Sequence, residues 1–242
     1  MEWSDEGIIL GVRRHGETSA IVELMTPVRG RHLGLVRGGV SRRIKPYLQP
    51  GNSVRAVWRA RLDEHLGNYT IEGTVLRADR LMASAAASYC LQTVAALLRL
   101  LPERDPHIAL YDALSLIADH LEEPSIAAPL LVRFELQLLA ELGFGLDLAE
   151  CAATGNAEEL VYVSPKSGRA VSREAGEPWK GQLLSLPAFL SGNGAGASAD
   201  DVAAAFLLTE HFLLRRVFEP RGIALPETRA AFLASVARAN AA

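Results

Sequence analysis

"GIILGVRRHGETSAIVELMTPVRGRHLGLVRG", residues 7–38, holds three short apolar and β-branched runs: 7–14, 19–26 and 31–38. "HGET" (15–18) and "PVRG" (27–30) separate them with the residues that reverse a chain. Two more runs follow, "SVRAVWRARL" (53–62) and "YTIEGTVLRA" (69–78), flanked by "PYLQPGN" (46–52) and "EHLGN" (64–68). Five strands within about seventy residues, with no long helix among them, predict a small closed or partly closed barrel. In "SVRAVWRARL", alternation puts Val54, Ala56, Trp58 and Ala60 on one face. Arg55, Arg59 and Arg61 then mostly face outward, which predicts a basic outer surface.

After Asp79 the apolar period lengthens from two to about 3.6. Residues 81–101 read as a helix stopped by Pro102, and residues 107–121 as a second that ends near Pro124. "APLLVRFELQLLAELGFG" (128–145) is apolar almost all round, as a central buried helix is. Between 146 and 180 the periodicity is lost around one expected strand pair, "LVYVS" (160–164) and "GRAVS" (168–172). "SGNGAGASAD" (191–200) reads as a flexible loop in which Ser198 or Asp200 caps the next helix. Helices at 201–216 and 226–239 close the chain. The expectation is an α+β multidomain protein: a barrel over 1–79, a helical domain over 80–242, and a turn-rich region at about 147–180.

At 242 residues, nearly half of them apolar, the chain has ample material for a core. No run approaches the roughly eighteen apolar residues of a membrane span, and "MEWSDE" lacks the cationic flank of a secretory signal. A soluble cytoplasmic protein without membrane partners is expected. The two cysteines, Cys90 and Cys151, lie far apart and suggest no disulfide framework. The net charge of −3 conceals an asymmetry: residues 1–80 carry thirteen Lys/Arg against nine Asp/Glu, residues 81–242 twelve against nineteen. The first part is therefore the candidate for binding a polyanion.

Residues 29–45 concentrate that charge. Arg29, Arg31, Arg37, Arg42, Arg43 and Lys45 occur there with four glycines and no acid. Arginine pairs two phosphate oxygens at once, and glycine lets a partner approach backbone N–H groups. Arg13, Arg14 and Arg59 are the further cationic candidates on the strands. Trp58, Tyr47 and Tyr69 are candidates for stacking on bases, since barrels of this kind bind single strands by a cationic groove and aromatic platforms, although Trp58, which alternates with apolar residues, reads as core rather than platform. No nucleophile-elbow, zinc-protease or phosphate-loop motif occurs, and the six histidines form no pair at metal-ligand spacing. A non-enzymatic binding protein without cofactor is expected, with an adaptor that grips an acidic protein as the alternative.

The order of these features resembles the bacterial RecO family of DNA repair and recombination mediators. It does so over nearly the whole chain, in "DEGIILGVRRHGETSAIVELMTPVRGRHLGLVRGG" (5–39), "LLPERDPHIALYDALSLIADHL" (100–121) and "RFELQLLAELGFGLDLAECAATG" (133–155), and most specifically over residues 5–39 and 129–176. The resemblance implies an N-terminal OB-fold and an all-α helical domain, with no active site. It implies binding of single- and double-stranded DNA, annealing of complementary strands and a nucleoid-associated place in the cytoplasm. The implied partners are RecR, the C-terminal tail of single-strand-binding protein and, indirectly, RecA. An acidic tail with an apolar end needs a cation beside an apolar pocket, for which Arg133, Arg215 and Arg216 are candidates. The family's zinc ribbon is degenerate here: its four ligand slots read Cys151, Thr154, Ser172 and Ala175, and one thiolate cannot hold structural zinc.

Overall fold

The first strand begins well before its apolar run. In the computed structural model, which describes residues 1–191 and 196–241, β1 spans Glu2–His15. Its residues 2–8 pair with β4 (Ser53–Arg59), and residues 8–15 with β2 (Ser19–Thr26). Ile8 pairs with both strands, and a register shift between Ile9 and Gly11, within the β2 pairing, is the bulge of a strand that bends to close a barrel. β3 (Gly30–Val36) and β5 (Asn68–Val75) complete a closed barrel of order β1-β2-β3-β5-β4, with β3 and β5 parallel. Five strands in that closed order form an OB-like barrel.

Ile9, Val22, Leu24, Val54, Ala56 and Trp58 fill the barrel. The alternation read in β4 holds on the inside, but the basic outer face does not. Arg55 and Arg59 lie opposite Glu6 and Glu2 of β1, with ion pairs of 3.4 and 2.9 Å that balance their charge. Exposed pairs of this kind add little to stability, so the consequence is electrostatic rather than structural.

Trp58 and Tyr69 are core residues rather than stacking platforms, 0 % and 4 % exposed. The Trp58 indole N–H donates to the Leu66 carbonyl at 3.0 Å, and the Tyr69 hydroxyl lies 2.8 Å from His32 Nδ1. Trp3 stacks on Trp58 at a centroid distance of 5.7 Å. Burying an aromatic ring of this size stabilises the fold by about 2–3 kcal/mol, more than an exposed stacking role would.

Where one helix was expected over 81–101, there are two: α1 (Ala78–Ala83) and α2 (Ala85–Leu98). Ser84 divides them because its backbone turns extended and its Oγ accepts the Ala87 N–H at 3.2 Å, capping α2. α3 (Ile108–Asp119) follows, then α4 (Pro124–Glu141). α4 starts four residues before the expected 128 because Pro124, with no N–H to satisfy, suits a first turn.

The chain forms two compact units: Met1–Ala127 with Thr228–Ser235, and Ala128–Glu227 with Val236–Ala242. The secondary structure changes near residue 79, whereas compactness divides at 127/128, because the helices after Asp79 are tied to the barrel. Arg77, 7 % exposed, donates to the Gly51 carbonyl, Ser53 Oγ and Asp119 of α3, and its own N–H goes to Asn52 Oδ1 at 2.7 Å. Arg99 pairs with Glu23 of β2 at 2.7 Å. Gly30, at φ +60°, lets Asp105 approach so closely that a Cβ there would lie 1.8 Å from the Asp105 carbonyl oxygen.

In the second unit β6 (Leu160–Val163) and β7 (Ala170–Ser172) form the expected pair, joined by a two-residue strand β8 (Leu184–Ser185) too short to show a pattern. A short α5 (Arg173–Gly176) follows β7. Of the loop expected at 191–200, residues 192–195 lie outside the described residues. α6 (Ala199–Leu213) begins with a capping box, Ser198 and Asp201 each bonding the other's backbone N–H. A π-turn at Leu214–Phe218 and α7 (Glu219–Arg221) extend it, and α8 spans Glu227–Ala241. No helix among the described residues is long and apolar enough to cross a membrane.

Candidate nucleic-acid interface

The cationic candidates separate by whether an acid holds them. Arg13 and Arg14 close β1, and Arg37, Arg42, Arg43 and Lys45 lie in the β3–β4 loop. The β1–β2 turn and the start of that loop share one end, because Val40 N–H donates to the Thr18 carbonyl at 3.2 Å. All six side chains are exposed, and none makes a salt bridge among the described residues. Arg14 donates only to the Gly16 and Glu17 carbonyls, and Arg37 to Asn68 Oδ1 at 3.1 Å. Those partners orient the guanidinium groups without neutralising them.

Arg29, Arg31 and Arg59 lie where acids gather, although Arg59 is also the cross-strand partner of Asn68, to which Arg37 donates. Arg31 pairs with Glu23 at 3.1 Å and Glu103 at 3.6 Å, and donates to the Leu101 carbonyl. With its side chain 13 % exposed, it joins β3 to the segment after α2. Arg59 is held by Glu2, and Arg29 lies over the Trp3 ring at 5.7 Å. Arg104 also donates to the Asp63 and His65 carbonyls of the β4–β5 loop. His32 adds no charge here, because burial and then the nearby Arg104 hold its pKa down to about 4.

The β3–β4 loop is anchored, so its cations are presented in a fixed frame. Leu48 is buried, and the Asn52 side-chain amide donates to the Pro46 and Tyr47 carbonyls at 3.1 Å. Gly51 N–H donates to the Ile9 carbonyl at 2.8 Å. A groove of about 520 Å³ lies between this loop and the β1–β2 hairpin, with Arg14 and Lys45 on its walls and Val12, Val40 and Leu48 among its apolar lining. It brings together two cations that are thirty-one positions apart in sequence. A second groove, about 730 Å³, shares Lys45 and Gln49 with the first and adds Arg42, Leu76, Asp79 and Met82. Leu76, Asp79 and Met82 escaped the sequence reading because their apolar and acidic side chains carry no signal until α1 brings them to the loop.

In the second unit Arg133 borders an apolar groove of about 270 Å³ with Leu136, Ala140, Leu146, Leu148 and Leu190. Its guanidinium donates to the Phe189 carbonyl at 2.8 Å. Arg215 and Arg216 lie on the π-turn instead, where Arg216 donates to the Lys166 carbonyl, and neither lines that groove.

Cys151 is buried, with Sγ 3.4 Å from Ser172 Oγ and accepting the Ser172 N–H at 3.2 Å. Burial pushes its thiol pKa up, but hydrogen bonds from Ser172, Thr154 and the Ala153 backbone outweigh it and bring the value to about 6. One thiolate, two hydroxyls and the Ala175 methyl do not fit structural zinc.

Two family models cover most of the chain: recombination protein O N terminal over residues 1–76, and recombination protein O C terminal over residues 79–222. Proteins named DNA repair protein RecO are similar along nearly its whole length. The one from Mesorhizobium japonicum is 60 % identical over 243 residues, 100 % of this chain and 96 % of the relative. The Rhizobium etli protein is 61 % identical (99 % and 94 % covered), and the Brucella abortus protein 59 % (99 % and 97 %). With an OB-like barrel in front, helices behind and both family models matched in that order, the chain belongs to the recombination protein O family.

Proposed function

We propose that this chain is a non-enzymatic DNA repair and recombination mediator. Its barrel domain (1–79) holds single- and double-stranded DNA and anneals complementary strands; its helical domain (80–242) docks protein partners. The observation that carries the reading is the set of six exposed cations on the β1–β2 hairpin and the β3–β4 loop of an OB-like barrel, none paired with an acid among the described residues. Two strands that approach each other repel through their phosphates. Cations that neutralise both lower that repulsion, so pairing is accelerated without any covalent step. With RecR, such a protein would hand DNA coated by single-strand-binding protein to RecA.

If about four cations engage a single strand, log affinity falls with log salt at a slope of about −3. Titrating a fluorescent oligonucleotide at several salt concentrations measures it. A flat salt response, or no acceleration of annealing, is the outcome that defeats the reading.

The Arg133 groove suits an acidic tail that ends in an apolar residue: the leucines accept the end, and the guanidinium meets a carboxylate. A charge-assisted hydrogen bond of this type is worth about 1.5–3 kcal/mol. Arg133→Ala is therefore expected to weaken binding of the single-strand-binding-protein tail peptide at least about tenfold by calorimetry. Equal affinity of variant and parent removes Arg133 from the site.

A further inference from the structure

The second groove differs from the first in being floored by apolar side chains that a soluble protein does not ordinarily leave open together. Leu76 and Met82, which line it, are 45 % and 79 % exposed, and Tyr47, beside Leu76 at its edge, is 37 % exposed. The Tyr47 ring lies on β5 over Gly73, where a Cβ would come within 2.6 Å of Tyr47 Cδ1 and 3.0 Å of a Leu76 methyl. Glycine at 73 therefore creates the notch that seats the ring next to Leu76. Arg42 and Lys45 stand among the groove's lining with Asp79, yet no ion pair links either of them to it.

We propose that this groove is a base-binding subsite for single-stranded nucleic acid, floored by Leu76 and Met82 with the Tyr47 ring at its edge, and fed by a backbone held on Arg42 and Lys45. The inference rests on the reading of the basic loop as a DNA site. Three features favour a nucleic-acid strand over a protein segment as the occupant. Lys45 and Gln49 line both grooves, so a chain of phosphates leaving the first meets the cations of the second without a gap. Asp79 repels phosphate, which keeps the backbone on the Arg42 and Lys45 side and turns the base toward the apolar floor, where its amino groups can donate to the carboxylate. An apolar floor with an aromatic ring accepts the face of any base, which gives binding without sequence preference. Bases in a duplex are stacked inside and unavailable, so the groove selects single strands while the cations of the first groove serve both.

The test compares two fluorescent probes of equal length and charge, an oligothymidylate and an abasic oligonucleotide, on the full chain and on Leu76→Ser/Met82→Ser. Both replaced side chains are exposed, so the fold is expected to survive, and an unchanged thermal unfolding midpoint verifies it. The parent is expected to prefer the oligothymidylate about tenfold, within the range for stacking one base. The double variant should lose most of that preference, keeping only what the Tyr47 ring at the edge supplies, with duplex affinity and salt slope unchanged. Equal binding of the two probes by the parent overturns the subsite, as does a full preference retained by the double variant. Salt-dependent but base-independent binding defeats the subsite alone. Absence of salt-dependent binding to either probe defeats the DNA reading and the subsite with it. Base-independent binding accompanied by loss of RecR binding in the double variant would reassign the groove to a protein partner.

Discussion

Charge reversal at three positions of the β3–β4 loop, Arg37→Glu/Arg42→Glu/Arg43→Glu, is expected to lower the affinity for single-stranded DNA at least about a hundredfold at moderate salt. Each phosphate contact is worth on the order of 1 kcal/mol, three are lost, and three new carboxylates repel the backbone. At 1.4 kcal/mol per tenfold change, the lost contacts alone account for about two orders of magnitude. The salt slope should also become shallower by about two, since three fewer phosphates of a single strand release counterions. Stability should barely change: among the described residues Arg42 and Arg43 have no side-chain hydrogen-bond or ion-pair partner, and the Arg37 side chain donates to Asn68 alone. Arg59→Gln is the informative contrast, because its cation already faces Glu2 at 2.9 Å and the replacement should leave DNA affinity within about twofold. Titration of a fluorescent oligonucleotide and annealing of complementary strands read both effects. Retained annealing in the triple variant, together with loss of a protein partner, would instead favour an adaptor whose basic loop binds an acidic protein.

Thr154→Cys/Ser172→Cys/Ala175→Cys is expected to create a zinc site where the parent sequence has one thiol. Around Cys151 the backbone already folds as such a site requires: Gly155 N–H closes a tight turn onto the Cys151 carbonyl at 2.8 Å, and Ser172 N–H points at Sγ. Two sulfurs bound to one tetrahedral zinc, each at about 2.3 Å, lie about 3.8 Å apart. The Cys151 Sγ to Ser172 Oγ distance of 3.4 Å is within a small adjustment of that. Residues 172–175, at the start of α5, supply the second pair at the same spacing as 151–154. The variant should take up one equivalent of metal, visible as thiolate-to-cobalt absorption when Co(II) replaces zinc. Since structural zinc in small thiolate sites contributes on the order of 10 kcal/mol, its unfolding midpoint should rise with zinc and fall with chelator, whereas the parent's should not move. A variant that folds but shows no thiolate-to-cobalt band would mean that the two turns do not bring the four positions together.

The sequence by itself determined the kinds of element and their order. Period-two runs with turn residues between them can only bury one face by pairing, and 3.6-period runs can only bury one stripe by packing, so five strands followed by helices were legible from local pattern. The basic loop was legible too, because six cations without an acid are a property of composition. What only the tertiary structure decided was which of those charges remain available. Arg31, Arg55 and Arg59 met Glu23, Glu6 and Glu2 across strand pairings, and Glu2 and Glu6 lay in a stretch whose polar residues hid that it was strand at all. Trp58 and Tyr69 turned inward because ring closure made their face the interior. The grooves join residues thirty or more positions apart, such as Arg14 with Lys45 and Arg42 with Met82. Local periodicity reports how each segment must fold, but the neutralisation or exposure of a charge depends on neighbours that come from elsewhere in the chain. Those neighbours are chosen by register and packing, which no single segment encodes.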